Sequence, residues 1–230
     1  MPGYSYEGAI RDMVIEKQTT ERVVSTLEED MKTREGQLKL VKAWATGDKM
    51  VSFRGFDLSA QNLQGIDLGG ADLREVDFKE ADLSGANLSG ADLTKANLFR
   101  AIVRGAKLRK TKFIEAYMRE VILEQADLSG SSLMRANLRS AFMDHTTLFR
   151  VDLDQANLRA VDLRFANLRE SYLKDTQLNS AKLEDAIFDG AMLIRADFSN
   201  SDLAPYQYHK ARQIEEIILP NGQTYSLPQE

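Results

Sequence analysis

The sequence predicts an all-β solenoid, a four-sided coil that advances one turn per about 20 residues. Three observations carry this. From Phe53 through Leu203 every fifth residue is large and apolar, 31 positions comprising 23 Leu, five Phe, Met118, Met143 and Val103. The residue two places earlier is small in most units: Ala, Ser, Thr or Val. No insertion shifts the frame across this span.

A period of five suits neither regular element. On a helix each step of five turns about 500°, so the apolar residues spiral around the axis and form no stripe. On a flat strand side chains alternate with period two, and an odd spacing sends successive leucines to opposite faces. A chain that turns a corner every five residues keeps the frame. Four sides then close one coil, and large residues point inward from each. In EADLSGANLSGADLTKANLFRA the inward set is Leu83, Leu88, Leu93 and Leu98. Each fills the centre of a narrow square and leaves room only for a side chain near Ala in size. With coils about 4.8 Å apart, residues 51 to about 205 make a rod of roughly eight coils, on the order of 40 Å long.

The units ADLRE, ADLSG, ANLSG, ADLTK and ANLFR share the pattern A(D/N)LXX. In this the chain resembles the pentapeptide repeat family over about two-thirds of its length. The resemblance implies a right-handed quadrilateral β-helix. Some bacterial members of that family bind DNA gyrase and confer fluoroquinolone resistance, because a dimeric acidic rod resembles duplex DNA.

Residues 1–48 read as an N-terminal helical segment and cap. Val24, Leu27 and Met31 sit at helical spacing, with Ile10 and Met13 in the same heptad frame and Lys17, Thr20 and Arg34 interrupting it. Two arrangements fit: a helical hairpin folded against the rod, or a parallel coiled coil. In the hairpin Thr19 or Thr20 caps the second helix and Gly36 closes it. In QLKLVKAWAT, helical spacing groups Leu38, Val41, Trp44 and Ala45, with Gly47 as a stop signal. Leu38, Val41 and Trp44 are thus expected to cover the first coil. Phe56, Gln61, Ile66 and Val76, large residues at the usually small place, suit a core end that meets a cap.

Residues 49–205 form the repeat domain. Glycines 55, 65, 70, 85, 90, 105, 130 and 190 all occupy its corner place, where tight turns explain them. Bulky residues, including Phe165, hold other corners, which implies that not every corner is left-handed. Residues 206–230 read as a C-terminal cap. Tyr206 and Tyr208 fall where small and large residues would stand. IILPNGQTYSL reads as a hairpin with Asn221-Gly222 in the turn.

Composition narrows the function. A 230-residue chain with 43% hydrophobic and 28% charged residues is a folded protein by default. Mild acidity, net charge −5, argues against direct nucleic-acid binding. Without cysteine there are no disulfides or thiolate metal sites. Neither a signal peptide nor a membrane-length apolar run is evident, so the expectation is a cytoplasmic protein with no membrane partner. Nothing in the sequence forms a catalytic motif, and no cofactor or metal is expected. His145 and His209 are far apart, and His145 reads as a lone surface histidine. Asp72 and Asp92, one coil apart, form at most a small acidic ladder.

Residues 20 apart share a face, so outward side chains can be sorted into four faces starting at Phe53, Leu58, Leu63 and Leu68. The Leu63 face carries Ile102, Ile122 and Phe142 at one place in successive coils, with Phe165 in the next coil. Its outward charge sums to about −4, the other faces lying near zero or +1. These four residues are the candidate interface. The Phe53 face, with Ile114, Met134, Tyr172, Met192 and Ile194, is more scattered. Arg119, Arg139 and Arg159 stack on the Leu58 face, and Lys107, Arg109 and Lys110 cluster on the Leu68 face. The expected function is a non-enzymatic scaffold for an unknown protein partner. A homodimer through the apolar stripe or the N-terminal helices is the other assembly the sequence suggests, and inhibition of DNA gyrase is the alternative function.

Overall fold

The computed structural model describes residues 32–45 and 52–227. The expected upstream helices, their Thr19 or Thr20 cap, the coiled-coil alternative and the Gly47 stop lie outside these residues.

Residues 20 apart lie side by side. Parallel bridges join Asp57 to Asp77, Asp82 to Ile102, Ile122 to Phe142 and so on to Gln177 and Asp197. Each turn therefore takes four units. Every large position from Phe53 to Leu203 is buried, with Leu83, Leu88, Leu93 and Leu98 wholly inaccessible. Where a buried Ser or Thr replaces the small Ala, its hydroxyl bonds a backbone carbonyl: Thr111 to Leu88 O at 2.7 Å, Ser131 to Leu128 O at 2.6 Å, Thr176 to Leu153 O at 3.0 Å. The interior thus accepts these polar side chains without an orphaned group.

One unit shows how the backbone is satisfied. Asp77 N donates to Phe56 O on one neighbouring coil at 2.8 Å. Phe78 N and Glu80 N donate to Asn97 O and Phe99 O on the other neighbouring coil, at 2.7 and 2.9 Å. Ala81 N closes the turn on Phe78 O at 2.9 Å. Lys79 N is the remaining donor, and it reaches Asp77 Oδ1 at 2.8 Å. The recurrent Asp or Asn therefore has a backbone role: it accepts the one N–H that neither adjacent coil takes.

The corners correct the sequence reading. Every corner place from Gly55 to Asn200 has φ between +51° and +75°, whether or not it is glycine; Phe165 has φ +59°. The turn that returns the amide just after the corner to the core residue's carbonyl demands this conformation at every corner, and tertiary pairing holds non-glycine residues in it.

At one end, helix α1 (Arg34–Ala45) lies against the first coil. It starts earlier than expected. Gly36, expected to close a preceding helix, is buried inside α1, and its N–H is accepted by Thr33 Oγ1 at 3.0 Å. Val41 and Trp44 are buried, and Trp44 meets Phe53 edge-on at 5.6 Å between centroids. Leu38 is half-buried, and Leu40 is buried more deeply. Gln37 is buried as well, its Oε1 accepting the Asp57 N–H at 2.8 Å.

Past Leu203 the chain gains one residue in the four-residue helix α2 (Pro205–Tyr208). The pairing offset rises from 20 to 21: β1 (Met192–Ile194) runs parallel to β2 (Gln213–Glu215) with Met192 opposite Gln213, and Asp197 bridges Ile218. Only one of the two tyrosines faces in as expected. Tyr206 is 62% exposed rather than at a small core place, and Tyr208 is buried. Strand β3 (Ile217–Ile218) then pairs antiparallel with β4 (Thr224–Tyr225). Their loop spans Pro220, Asn221 and Gly222, closed by Gly222 N on Leu219 O at 2.9 Å and Leu219 N on Gln223 O at 2.8 Å, with Gly222 at φ +81°.

Candidate interaction surface

The Leu63 face brings three of the four candidate residues into one column. Bridges run Asp82–Ile102–Ile122–Phe142–Asp162, so the apolar side chains occupy three consecutive rungs, with an aspartate at each end. Ile102 and Ile122 are half-buried and Phe142 is 46% exposed. Phe165 stands in a different column, at the corner. There its ring stacks on His145, with centroids 4.8 Å apart and planes 9° from parallel. His145 is thus the flat neighbour of Phe165 and extends the apolar surface. Phe165 is 42% exposed.

Charges frame the stripe. Arg104 pairs with Glu124 at 2.6 Å beside Ile102 and Ile122. Asp162 accepts from Nε and Nη2 of Arg164, each at 2.8 Å, with Lys182 at 3.7 Å. Burial tends to raise the pKa of Asp162, but the Arg164 bonds hold it below the usual carboxylate range. The acid that ends the stripe is therefore a fixed anion.

The other sequence features resolve differently. Asp72 accepts two bonds from Arg74 and one from Ser52, each 2.7 Å, and these hold its pKa down at about 2. Asp92 pairs with Lys112 at 3.6 Å. Among the described residues no group of three acidic or histidine side chains is placed to hold a metal ion. On the Phe53 face Tyr172 is 46% exposed and borders an open hollow of about 310 Å³ with Ser132, Asp152 and Asp154. No helix among the described residues is long and apolar enough to cross a membrane.

Sequence reasoning missed Gln37, Gln207 and the His145–Phe165 stack. Gln207 donates to Leu183 O at 2.5 Å and Ala186 O at 2.9 Å, and its Oε1 accepts from Ala204 N at 2.7 Å. A plain residue-20 rule applied to corner places would have found the stack, because 145 and 165 are one coil apart. The glutamines carry no periodic signal.

The family model for pentapeptide repeats matches eight copies, in segments that together run from residue 52 to 204, more than half of the chain. The chain is a pentapeptide repeat protein. Among solved structures it is similar to HetL, a pentapeptide repeat protein involved in heterocyst differentiation regulation from the cyanobacterium Nostoc sp. strain PCC 7120. The two are 28% identical over 76% of this chain and 87% of that one, with a TM-score of 0.55. It is also similar to a trypsin-treated QnrB1, a plasmid-mediated fluoroquinolone resistance protein, at 18% identity over 72% of this chain and 90% of that one, with a TM-score of 0.45. A third is Rfr23 from the cyanobacterium Cyanothece 51142, at 22% identity over 66% and 95%, with a TM-score of 0.26. No curated protein matches the chain.

Proposed function

We propose that this pentapeptide repeat protein is a non-enzymatic protein-interaction scaffold, a rod of roughly eight coils closed by α1 at one end and the β3–β4 hairpin at the other. The observation that carries the reading is the column Ile102, Ile122 and Phe142. At that place the fold commonly uses Asp or Asn to accept a backbone N–H, and only here do three consecutive rungs of one column carry apolar side chains. Each apolar substitution gives up that bond and also puts hydrocarbon on the outside of the rod. The backbone gains nothing from it, so the stripe is explained by what it touches. Acidic residues at its ends and a stacked Phe165–His145 corner beside it give a partner both contact area and register.

The test is affinity capture from the native host with wild type and with Ile122→Asp/Phe142→Asp. The double variant is expected to fold and to lose the partner that wild type retains; equal recovery overturns the stripe. Light scattering on both proteins separates a second copy of the chain from a different protein.

Binding of DNA gyrase is the second reading. The net charge of about −4 on the Leu63 face favours it. Stacked arginines on the adjoining Leu58 face oppose it, since a mimic of duplex DNA needs negative potential around the rod. A supercoiling assay decides: neither inhibition nor drug protection at micromolar protein rejects this reading.

A further inference from the structure

Charge on the rod follows a rule. A basic side chain is commonly matched by an acid one coil away: Arg100 with Glu120 at 2.7 Å, Arg104 with Glu124 at 2.6 Å, Arg135 with Glu115 at 3.0 Å, Arg150 with Glu170 and Arg195 with Asp175 at 2.7 Å. In one column basic side chains instead stack on one another. On the Leu58 face Arg119, Arg139 and Arg159 stand on consecutive coils, like charge over like charge at about the 4.8 Å coil spacing.

Arg119 shares Glu120 with Arg100, at 3.1 Å. Among the described residues Arg139 and Arg159 have no carboxylate in ion-pair range; Arg159 lies 3.2 Å from the side-chain oxygen of Asn179, once that amide is turned to face it. The adjoining ladder on this face is neutral over the same coils: Tyr117, Asn137, Asn157 and Gln177. Below the arginines the column holds one aromatic residue, Phe99, before Lys79, and the Arg100 guanidinium lies over the Phe99 ring at 4.9 Å from its centre. Phe99, one coil under Arg119, packs against Tyr117 with ring centroids 5.9 Å apart, and Tyr117 is 41% exposed.

We propose that this face takes an acidic amphipathic helix of a partner protein, laid along the rod with carboxylates on Arg119, Arg139 and Arg159 and one apolar side chain on Phe99 and Tyr117. The spacing selects the occupant. One face of an α-helix returns every 5.4 Å, so its carboxylates drift only about 0.6 Å per coil against the arginines. Same-side residues of an extended strand are about 6.8 Å apart and drift about 2 Å per coil. A guanidinium offers a planar fork that a carboxylate fills with two bonds. Duplex DNA carries charge on all sides, and would meet the acidic Leu63 face next to this one. The proposal rests on the scaffold reading, but on a different face from the apolar stripe.

The probe is a labelled, Ala-based helical peptide with one Leu followed by Glu four, seven and eleven residues later, followed by fluorescence anisotropy. Saturable binding is expected at low salt. Arg139→Glu/Arg159→Glu is expected to weaken it about tenfold, as is raising salt from about 50 to about 500 mM. Arg139→Ala/Arg159→Ala is expected to give a smaller loss, and circular dichroism checks that both variants stay folded. A peptide of the same composition with Glu at every fifth residue, spread around the helix, is expected not to bind. Ile122→Asp/Phe142→Asp is expected to bind the peptide as wild type does. The proposal is overturned by no saturable binding up to about 100 µM, by unchanged affinity in the charge-reversed variant, or by loss in the stripe variant. Tighter, arginine-dependent binding of a short duplex DNA also overturns it and assigns the column to nucleic acid. Failure of the stripe in the capture experiment leaves these results untouched, so the two ideas fail separately.

Discussion

At the residue scale the fold sets two demands that conflict with ordinary preference. Corners need a left-handed backbone, and Ala160, at φ +54°, meets that demand without glycine's freedom. Ala160→Gly is expected to raise stability by about 0.5 kcal/mol, relief of strain outweighing the added freedom of the unfolded chain. Gly65→Ala, where no neighbouring atom lies within 4 Å of the added carbon, should lower it by about 1 kcal/mol through backbone strain alone. Urea melts check both. The ladder acid makes the second demand. Burial pushes the Asp152 pKa up, its bond from Asp154 N at 3.0 Å opposing and the Asp154 charge adding to the rise. An acid whose folded pKa lies above its unfolded value weakens the fold when ionised and stops doing so once protonated. Asp152→Asn keeps the acceptor, so it is expected to stabilise at pH 7 by less than about 1 kcal/mol, an advantage that disappears below about pH 3.5. Asp72 has the opposite sign: bonded by Arg74, it adds stability above the ordinary aspartate pKa, and that contribution fades as pH falls through about 2.

At the element scale the notable devices are two glutamines at the ends of the ladder. Asp77 N finds Phe56 O on its neighbouring coil, but the first coil offers Asp57 N no such carbonyl, and α1 supplies the Gln37 carboxamide instead. Gln37→Ala is expected to cost about 1 kcal/mol. At the other end Gln207, 4% exposed, satisfies two carbonyls and one N–H at once. Gln207→Met preserves bulk but strands these buried groups, for an expected loss of about 3 kcal/mol in thermal or urea melts. Neither glutamine was legible in the sequence. Periodicity reports what faces a core; it is silent about a side chain that stands in for one missing backbone group. The one-residue gain at Pro205–Tyr208 was hidden for a similar reason: the core beat ends there, and only the 21-residue offset of β1 and β2 reveals that pairing continues.

At the scale of the whole molecule, four units per turn convert sequence distance into direction. Inserting one unit, ADLSG, between Glu120 and Val121 keeps every side chain in phase with the core. It turns all later columns onto the next face, separating Ile102 from Ile122 and Phe142. The expected outcome is a variant that folds cooperatively, by circular dichroism, and no longer captures the partner of wild type. Retained capture would show that the aligned stripe is not what the partner reads.

The sequence by itself determined the repeat, the family and the column in which Ile102, Ile122 and Phe142 meet. A period that never slips is a geometric instruction, since burying one large residue per side fixes where its neighbours point. The tertiary structure alone decided the rest: that Phe165 sits on His145 at a corner, that every corner is left-handed, and that the ladder acids serve the backbone. These depend on pairing between coils, an energy set by residues 20 places away, which overrides the local preference that a single unit expresses.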